Sequence, residues 1–150
     1  MIVFLDTSAL GSMYLGDEDD GAWIAEVVFT GHDPVVVCEL ADVELASLLA
    51  RALRGGRITE AEVAERLDAW ADHTCDDGPI GVAPVRSDTL ARARSLVLEE
   101  QVRTLDAIHL AAAQVLAEAS DDAVTLLTRD ARQASAAVGV GLPLYERPTR

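Results

Sequence analysis

Asp6, Glu44, Asp106 and Asp130 are four carboxylates spread along the chain, and each stands in a setting where an acid can face a cavity. Asp6 ends the apolar run Ile2-Val3-Phe4-Leu5, which reads as a strand buried on both faces. Asp130 follows the run Thr125-Leu126-Leu127 by three residues, and Asp106 shares its local pattern, since "TLDA" and "TRDA" are both Thr-x-Asp-Ala. With Thr104 and Thr128 as caps, both aspartates fall at the second helical position, where free backbone N–H groups and the helix dipole favour an anion. The same placement also accounts for an acid with no chemistry to perform, because a first turn stabilises any carboxylate. Glu44 lies between Val43 and Leu45, roughly 60 to 100° from the centre of its helix's apolar stripe, so its carboxylate reaches water or faces a polar cavity. Four acids in one crevice cannot all stay ionised without compensation. The chain has no lysine to compensate them and no His/Cys cluster of the kind zinc prefers, whereas Mg2+ and Mn2+ favour carboxylate oxygens and water. One or two such ions leave open positions for water and a phosphate oxygen. Metal-assisted hydrolysis of a phosphodiester is the reaction these residues point to.

The elements that must carry these residues alternate in kind. After the first strand come a helical stretch over about 21–29 and a short β-branched strand over 34–38. Residues 40–53 place Ala41, Leu45, Leu48, Leu49 and Ala52 on one helical face, and Gly55-Gly56 ends that helix. Thr59 opens another helix, with Glu62 three residues on as in a capping box. The stretch "CDDGPIGVAPV" reads as turn, short strand, turn; Ser87 and Thr104 then cap two further helices. Residues 123–128 form a strand, Thr128 caps "RDARQASAAVG", and "LPLYE" offers a last short edge strand. Strands separated by helices, without hairpin turn pairs, imply an α/β fold with a central, mostly parallel sheet of four or five strands covered on both sides. In such sheets the ligand crevice lies beyond the carboxyl ends of the strands, where Asp6 and Asp130 fall.

Length and composition bound the rest. A chain of 150 residues, half hydrophobic and a quarter charged, is expected to form one domain over 1–150. Cys38 and Cys75 belong to no cluster, so neither a disulfide framework nor a zinc site is indicated, and a reducing cytoplasm fits. The apolar N-terminus has no cationic flank and is far short of the roughly 20 residues of a spanning helix. Net charge is 12 − 26 = −14, which argues against a general grip on nucleic-acid phosphates. Any such contact must rest on local cations, and Arg51, Arg54, Arg57, Arg103, Arg129 and Arg132 are the candidates near the crevice, although each also suits an exposed helix surface. All 12 cations are arginine, which excludes a Walker-type phosphate loop and a Schiff-base lysine. A haloacid-dehalogenase-like phosphatase would need a second acid two residues after the first, where Ser8 stands. The acidic run over 16–21 lacks the spacing of a calcium loop and reads as a solvated helix start. His109, three residues after Asp106, reads as a packed helix residue, and Trp23 and Trp70 as core or dimer contacts.

Taken together, "FLDTSAL", "VELASLLAR", "RTLDAIHLAAA" and "LLTRDARQASAAVG" resemble the PIN-domain ribonucleases, specifically the VapC-type toxins of toxin-antitoxin modules. The resemblance runs in order along nearly the whole chain. It implies a three-layer α/β/α PIN-like fold, Mg2+ or Mn2+ dependence, cleavage of RNA, a homodimer, and neutralisation by a cognate antitoxin with a basic tail. It implies an acidic quartet of Asp6, Glu44, Asp106 and Asp130, within which the expected roles are Asp6 and Asp106 as principal metal ligands, Glu44 as a ligand or water-orienting base, and Asp130 as a support or a ligand to a second ion. Ser8 and Thr128 match supporting hydroxyl positions, and Arg51, Arg103 and Arg129 are the arginines expected to meet substrate. A PIN fold retained as a silent binding module is the alternative, which four intact acids disfavour.

Overall fold

Four strands and seven helices make up the computed structural model, which describes residues 1–16 and 18–147. Strand β1 (Ile2–Leu5) leads to α1 (Thr7–Leu15) and α2 (Glu18–Phe29), and β2 (Val35–Cys38) leads to α3 (Ala41–Arg54) and α4 (Glu60–Thr74). Next, β3 (Ile80–Ala83) leads to α5 (Ser87–Glu100) and α6 (Thr104–Ala119), and β4 (Val124–Leu127) leads to α7 (Ala131–Gly139). The strands lie in the order β3-β2-β1-β4, all parallel. β1 lies inside the sheet and all four of its residues are buried, covered by helices on both faces, as its unbroken apolar run requires.

Alternation along β1 divides the interior into two layers. Val3 and Leu5 pack with Leu10 of α1, Ile24 of α2, Leu45 and Leu49 of α3 and Trp70 of α4. Ile2 and Phe4 face the other way, onto Leu96 of α5, Leu110 of α6 and Ala137 of α7. Fully burying a side chain such as Leu or Phe is worth about 1.5–3 kcal/mol. Both faces of the sheet are therefore helix-covered, giving the expected three layers. Ala107, Ala111 and Ala113 of α6 are buried against the sheet, where small side chains let the helix approach closely. Among the described residues no helix is long and apolar enough to cross a membrane.

Several local expectations are corrected. Helix α1 begins directly after β1, with Asp6 as its N-cap accepting the Ala9 N–H at 3.0 Å and Gly16 in the left-handed conformation closing it; the sequence reading placed its first helix only after this point. Thr104 is the first residue of α6, not its cap, so Asp106 sits at the third helical position. Asp130 is itself the N-cap of α7, accepting from the N–H groups of Arg132 and Gln133, and Thr128 instead accepts from the Asp130 N–H at 3.1 Å. Ser87 likewise lies inside α5. The "LPLYE" segment contributes only an isolated parallel bridge, Leu126 to Leu144, which leaves a sheet of four strands. In the acidic run 16–21, Asp17 and the side chains of Glu18 and Asp19 lie outside the described residues. Asp20 is paired rather than solvated, with Arg129 and Arg147 as its partners.

Candidate active site

Strand register brings the first acid to its partners. Leu5 is level with Val37 on one side and Leu127 on the other, so the residue after Leu5 meets the residue after Leu127. Thr128 Oγ1 accordingly donates to Asp6 Oδ2 at 2.5 Å, while Ser8 Oγ donates to Asp6 Oδ1 at 2.7 Å. Ser8 Oγ also accepts the Arg129 N–H at 2.8 Å and lies 3.2 Å from Thr128 Oγ1. The two hydroxyls thus bind the ends of β1 and β4 together around one carboxylate. Asp6 is only 5% exposed. Burial pushes its carboxyl above the ordinary value, and the bonds from Thr128, Ser8 and the Ala9 N–H oppose that shift without cancelling it.

Asp6, Glu44, Asp106 and Asp130 all line one cavity of about 360 Å3, together with Ser8, Arg51, Thr7, His109 and Gln133. Its place, beyond the carboxyl ends of β1 and β4 where the chain order reverses across the sheet, is the crevice of open parallel folds. Glu44 comes from the first turns of α3 and is held on one oxygen. Thr7 Oγ1 donates to its Oε2 at 2.6 Å, and His109 Nε2 lies 2.5 Å from the same atom. Burial alone would raise the Glu44 carboxyl, but the bonds from His109 and Thr7 and the nearby His109 charge outweigh it, and the net direction is down. Asp106 moves the opposite way: burial raises it, and the negative charges of Asp130 and Asp6 add to the rise against the pull of Arg103.

That crowding of like charge tests whether a metal suits the site. Every charged oxygen donor on the cavity is a carboxylate, hydroxyls support them, and no thiol takes part, a donor set suited to Mg2+ or Mn2+ rather than zinc. The negative charge that pushes Asp106 up is what a divalent cation would neutralise. Among the described residues no group of three or more His, Cys, Asp and Glu forms a ready-made cage; Mg2+ sites commonly use one or two carboxylates and complete their shell with water.

The remaining expected residues divide. Arg51 lines the same cavity and Arg103 lines an adjoining one that shares Asp106. Arg129 does not line either; its guanidinium is engaged by Asp20. Trp70 is in the core with its indole N–H on Asp42, and Trp23 stacks on Tyr145. His109 is packed, as read from the sequence, yet it also reaches the site. Thr7 and Gln133 were not singled out. Gln133 is buried, and its Nε2 donates to the Asp106 carbonyl at 3.3 Å, which links the starts of α6 and α7. A signal for His109 and Gln133 was present: each follows an aspartate by three residues in the shared frame Thr-x-Asp-Ala-x-x, which puts acid and polar partner on one side of a helix.

Comparison with known proteins adds an independent line. Residues 3–139 match the PIN domain family. Ribonuclease VapC45 of Mycobacterium tuberculosis (strain CDC 1551 / Oshkosh) and ribonuclease VapC49 of Mycobacterium tuberculosis (strain ATCC 25618 / H37Rv) are each 30% identical to this chain over 115 residues, covering 75% of it and 74% of each relative.

Proposed function

Because the chain belongs to the PIN-domain family, we propose that it is a Mg2+- or Mn2+-dependent endoribonuclease of the toxin type, built as one domain over 1–150 and acting in the cytoplasm. The observation that carries this reading is the convergence of four chain-distant carboxylates on one cavity at the ends of β1 and β4. Asp6 and Asp106 are its principal metal ligands, Glu44 a further ligand or the group that orients the attacking water, and Asp130 an outer support or a ligand to a second ion. A divalent ion bound there supplies positive charge to phosphoryl oxygens and lowers the pKa of water.

The chain's own residues do the rest. Ser8 and Thr128 aim the Asp6 carboxylate, and Thr7 with His109 occupies Glu44 Oε2, so that Oε1 is the oxygen left to orient water or hold its proton. Gln133 keeps the α6 and α7 starts together despite the repulsion between Asp106 and Asp130. Arg51 offers a cation to the strand at the rim. The chain acts as a homodimer, and its acidity suits neutralisation by an antitoxin with a basic tail, whose Arg or Lys enters the carboxylate cluster.

Cleavage of structured RNAs with Mn2+ or Mg2+, and its loss in EDTA, is the expected behaviour. Asp6→Asn and Asp106→Asn each abolish cleavage while circular dichroism shows the fold intact; retained cleavage in either removes that residue from the machinery. Metal binding with no RNA cut by the wild type would instead leave a silent binding module.

A further inference from the structure

Asp106 stands between two cavities. One holds the other acids and Arg51; the second, of about 490 Å3, lies between the α5–α6 connection and α7 and carries Arg103, Arg132, Val102 and Ala136 on its wall. Its size falls within the roughly 300–1,000 Å3 typical of ligand pockets. Cations are few in a chain with 12 arginines, no lysine and net charge −14. Arg66, Arg92, Arg129 and Arg147 are all in ion pairs, whereas among the described residues Arg103 and Arg132 have no carboxylate within ion-pair distance. Two guanidiniums outside any ion pair on one groove wall, in a chain this acidic, mark a place for an anion even with Asp106 nearby.

We propose that this groove seats a nucleotide adjacent to the scissile bond, its phosphate between Arg103 and Arg132 and its sugar or base against Val102 and Ala136. The substrate strand then runs from Arg51, across Asp106, to Arg132. The inference rests on the ribonuclease reading and adds the strand's path to it. Glu100 also lines the groove, near Gly139. A carboxylate there repels phosphate but accepts from a ribose hydroxyl, which puts the phosphate at the arginine end. Arg132 is held in place by the α7 start, where its backbone N–H donates to Asp130 Oδ1 at 2.8 Å, so the groove moves with the acid it serves. A basic antitoxin tail is repelled by the same two arginines, which favours RNA as the occupant.

Fluorescence anisotropy of a labelled single-stranded RNA in EDTA, over a series of salt concentrations, counts phosphate contacts through the slope of log K against log salt, about 0.7 per contact for a single strand. Arg103→Gln and Arg132→Gln are each expected to shrink that slope by about 0.7, and in Mg2+ to raise KM several-fold with a smaller change in kcat. Arg94→Gln, exposed on α5 outside both cavities, changes neither. Unaltered slope and KM in both groove variants, with a wild type that cleaves RNA, overturn the groove and leave the ribonuclease reading standing. A wild type that neither binds nor cuts RNA overturns both.

Discussion

Asp6 shows how a single residue can be kept against its own stability. Its carboxyl is buried, raised by that burial, and surrounded by three donors, an arrangement that costs folding energy and gives a fixed anion. Asp106 is a similar case, crowded by Asp130 and Asp6. Removing its charge relieves repulsion, so in metal-free buffer Asp106→Asn should melt higher than the wild type; about 2–4 °C corresponds to each kcal/mol in a chain of this size. Adding Mn2+ should raise the wild-type Tm more than that of the variant, and equal shifts in calorimetry would count against Asp106 as a ligand. His109 acts through Glu44. Among the described residues its Nδ1 has no hydrogen-bond partner, so its polar contacts run through Nε2. His109→Ala leaves a half-buried carboxylate short of a donor, with an expected loss of about 1–3 kcal/mol in urea unfolding and a lower kcat. His109→Gln, which restores a donor, should recover part of both; no recovery would mean that ring packing, not the bond, is what matters.

At the scale of elements, the signals that could be read in advance were those carried by local chemistry. The α4 start is one. Thr59 Oγ1 accepts the Glu62 N–H at 3.2 Å and Glu62 Oε2 accepts the Thr59 N–H at 2.8 Å, the reciprocal box expected from residue types alone. Thr59→Ala should cost about 0.5–2 kcal/mol in chemical denaturation. The Glu62 carboxyl is held below its ordinary value, chiefly by the Thr59 N–H and then its hydroxyl. A depressed carboxyl contributes stability that is present above the ordinary value of 4.5 and lost as pH falls through the folded-state value. The Tm gap between wild type and Glu62→Ala should therefore narrow on acidification below that value; a constant gap would remove the charge from the explanation. Other starts were misread for a reason. In α6 and α7 the threonines two residues before the acids invited a capping assignment, but the Thr128 hydroxyl is recruited by Asp6, a partner 122 residues away in sequence that no local pattern reveals. Helix α1 was missed because Asp6 was weighed as an acid ending a strand, whereas it also caps the helix that follows.

For the whole molecule, the balance of charge and exposed apolar surface governs what it meets. Leu90, Val97 and Leu98 are exposed along α5, a surface fitted to the proposed homodimer. Sedimentation should show a dimer that Leu90→Glu and Leu98→Glu shift towards monomer, and a wild-type monomer would end the idea. The proposed antitoxin meets the opposite feature, the acidic cavity. Replacing the cations of its tail should abolish inhibition of cleavage, and undiminished inhibition would exclude the tail from the site.

Sequence alone determined the order of the four strands and of α2 to α7, the buried central strand, and four acids as candidates for one chemistry, because apolar periodicity and capping are properties of neighbours along the chain. Only the tertiary structure decided that those acids share a cavity, that Thr7, His109 and Gln133 hold them, and that Arg129 is spent on Asp20 while Arg103 and Arg132 share a groove. Hydrogen bonds and ion pairs across the sheet join residues separated by tens to over a hundred positions, and their selection depends on strand register and helix placement, which exist only once the layers have packed.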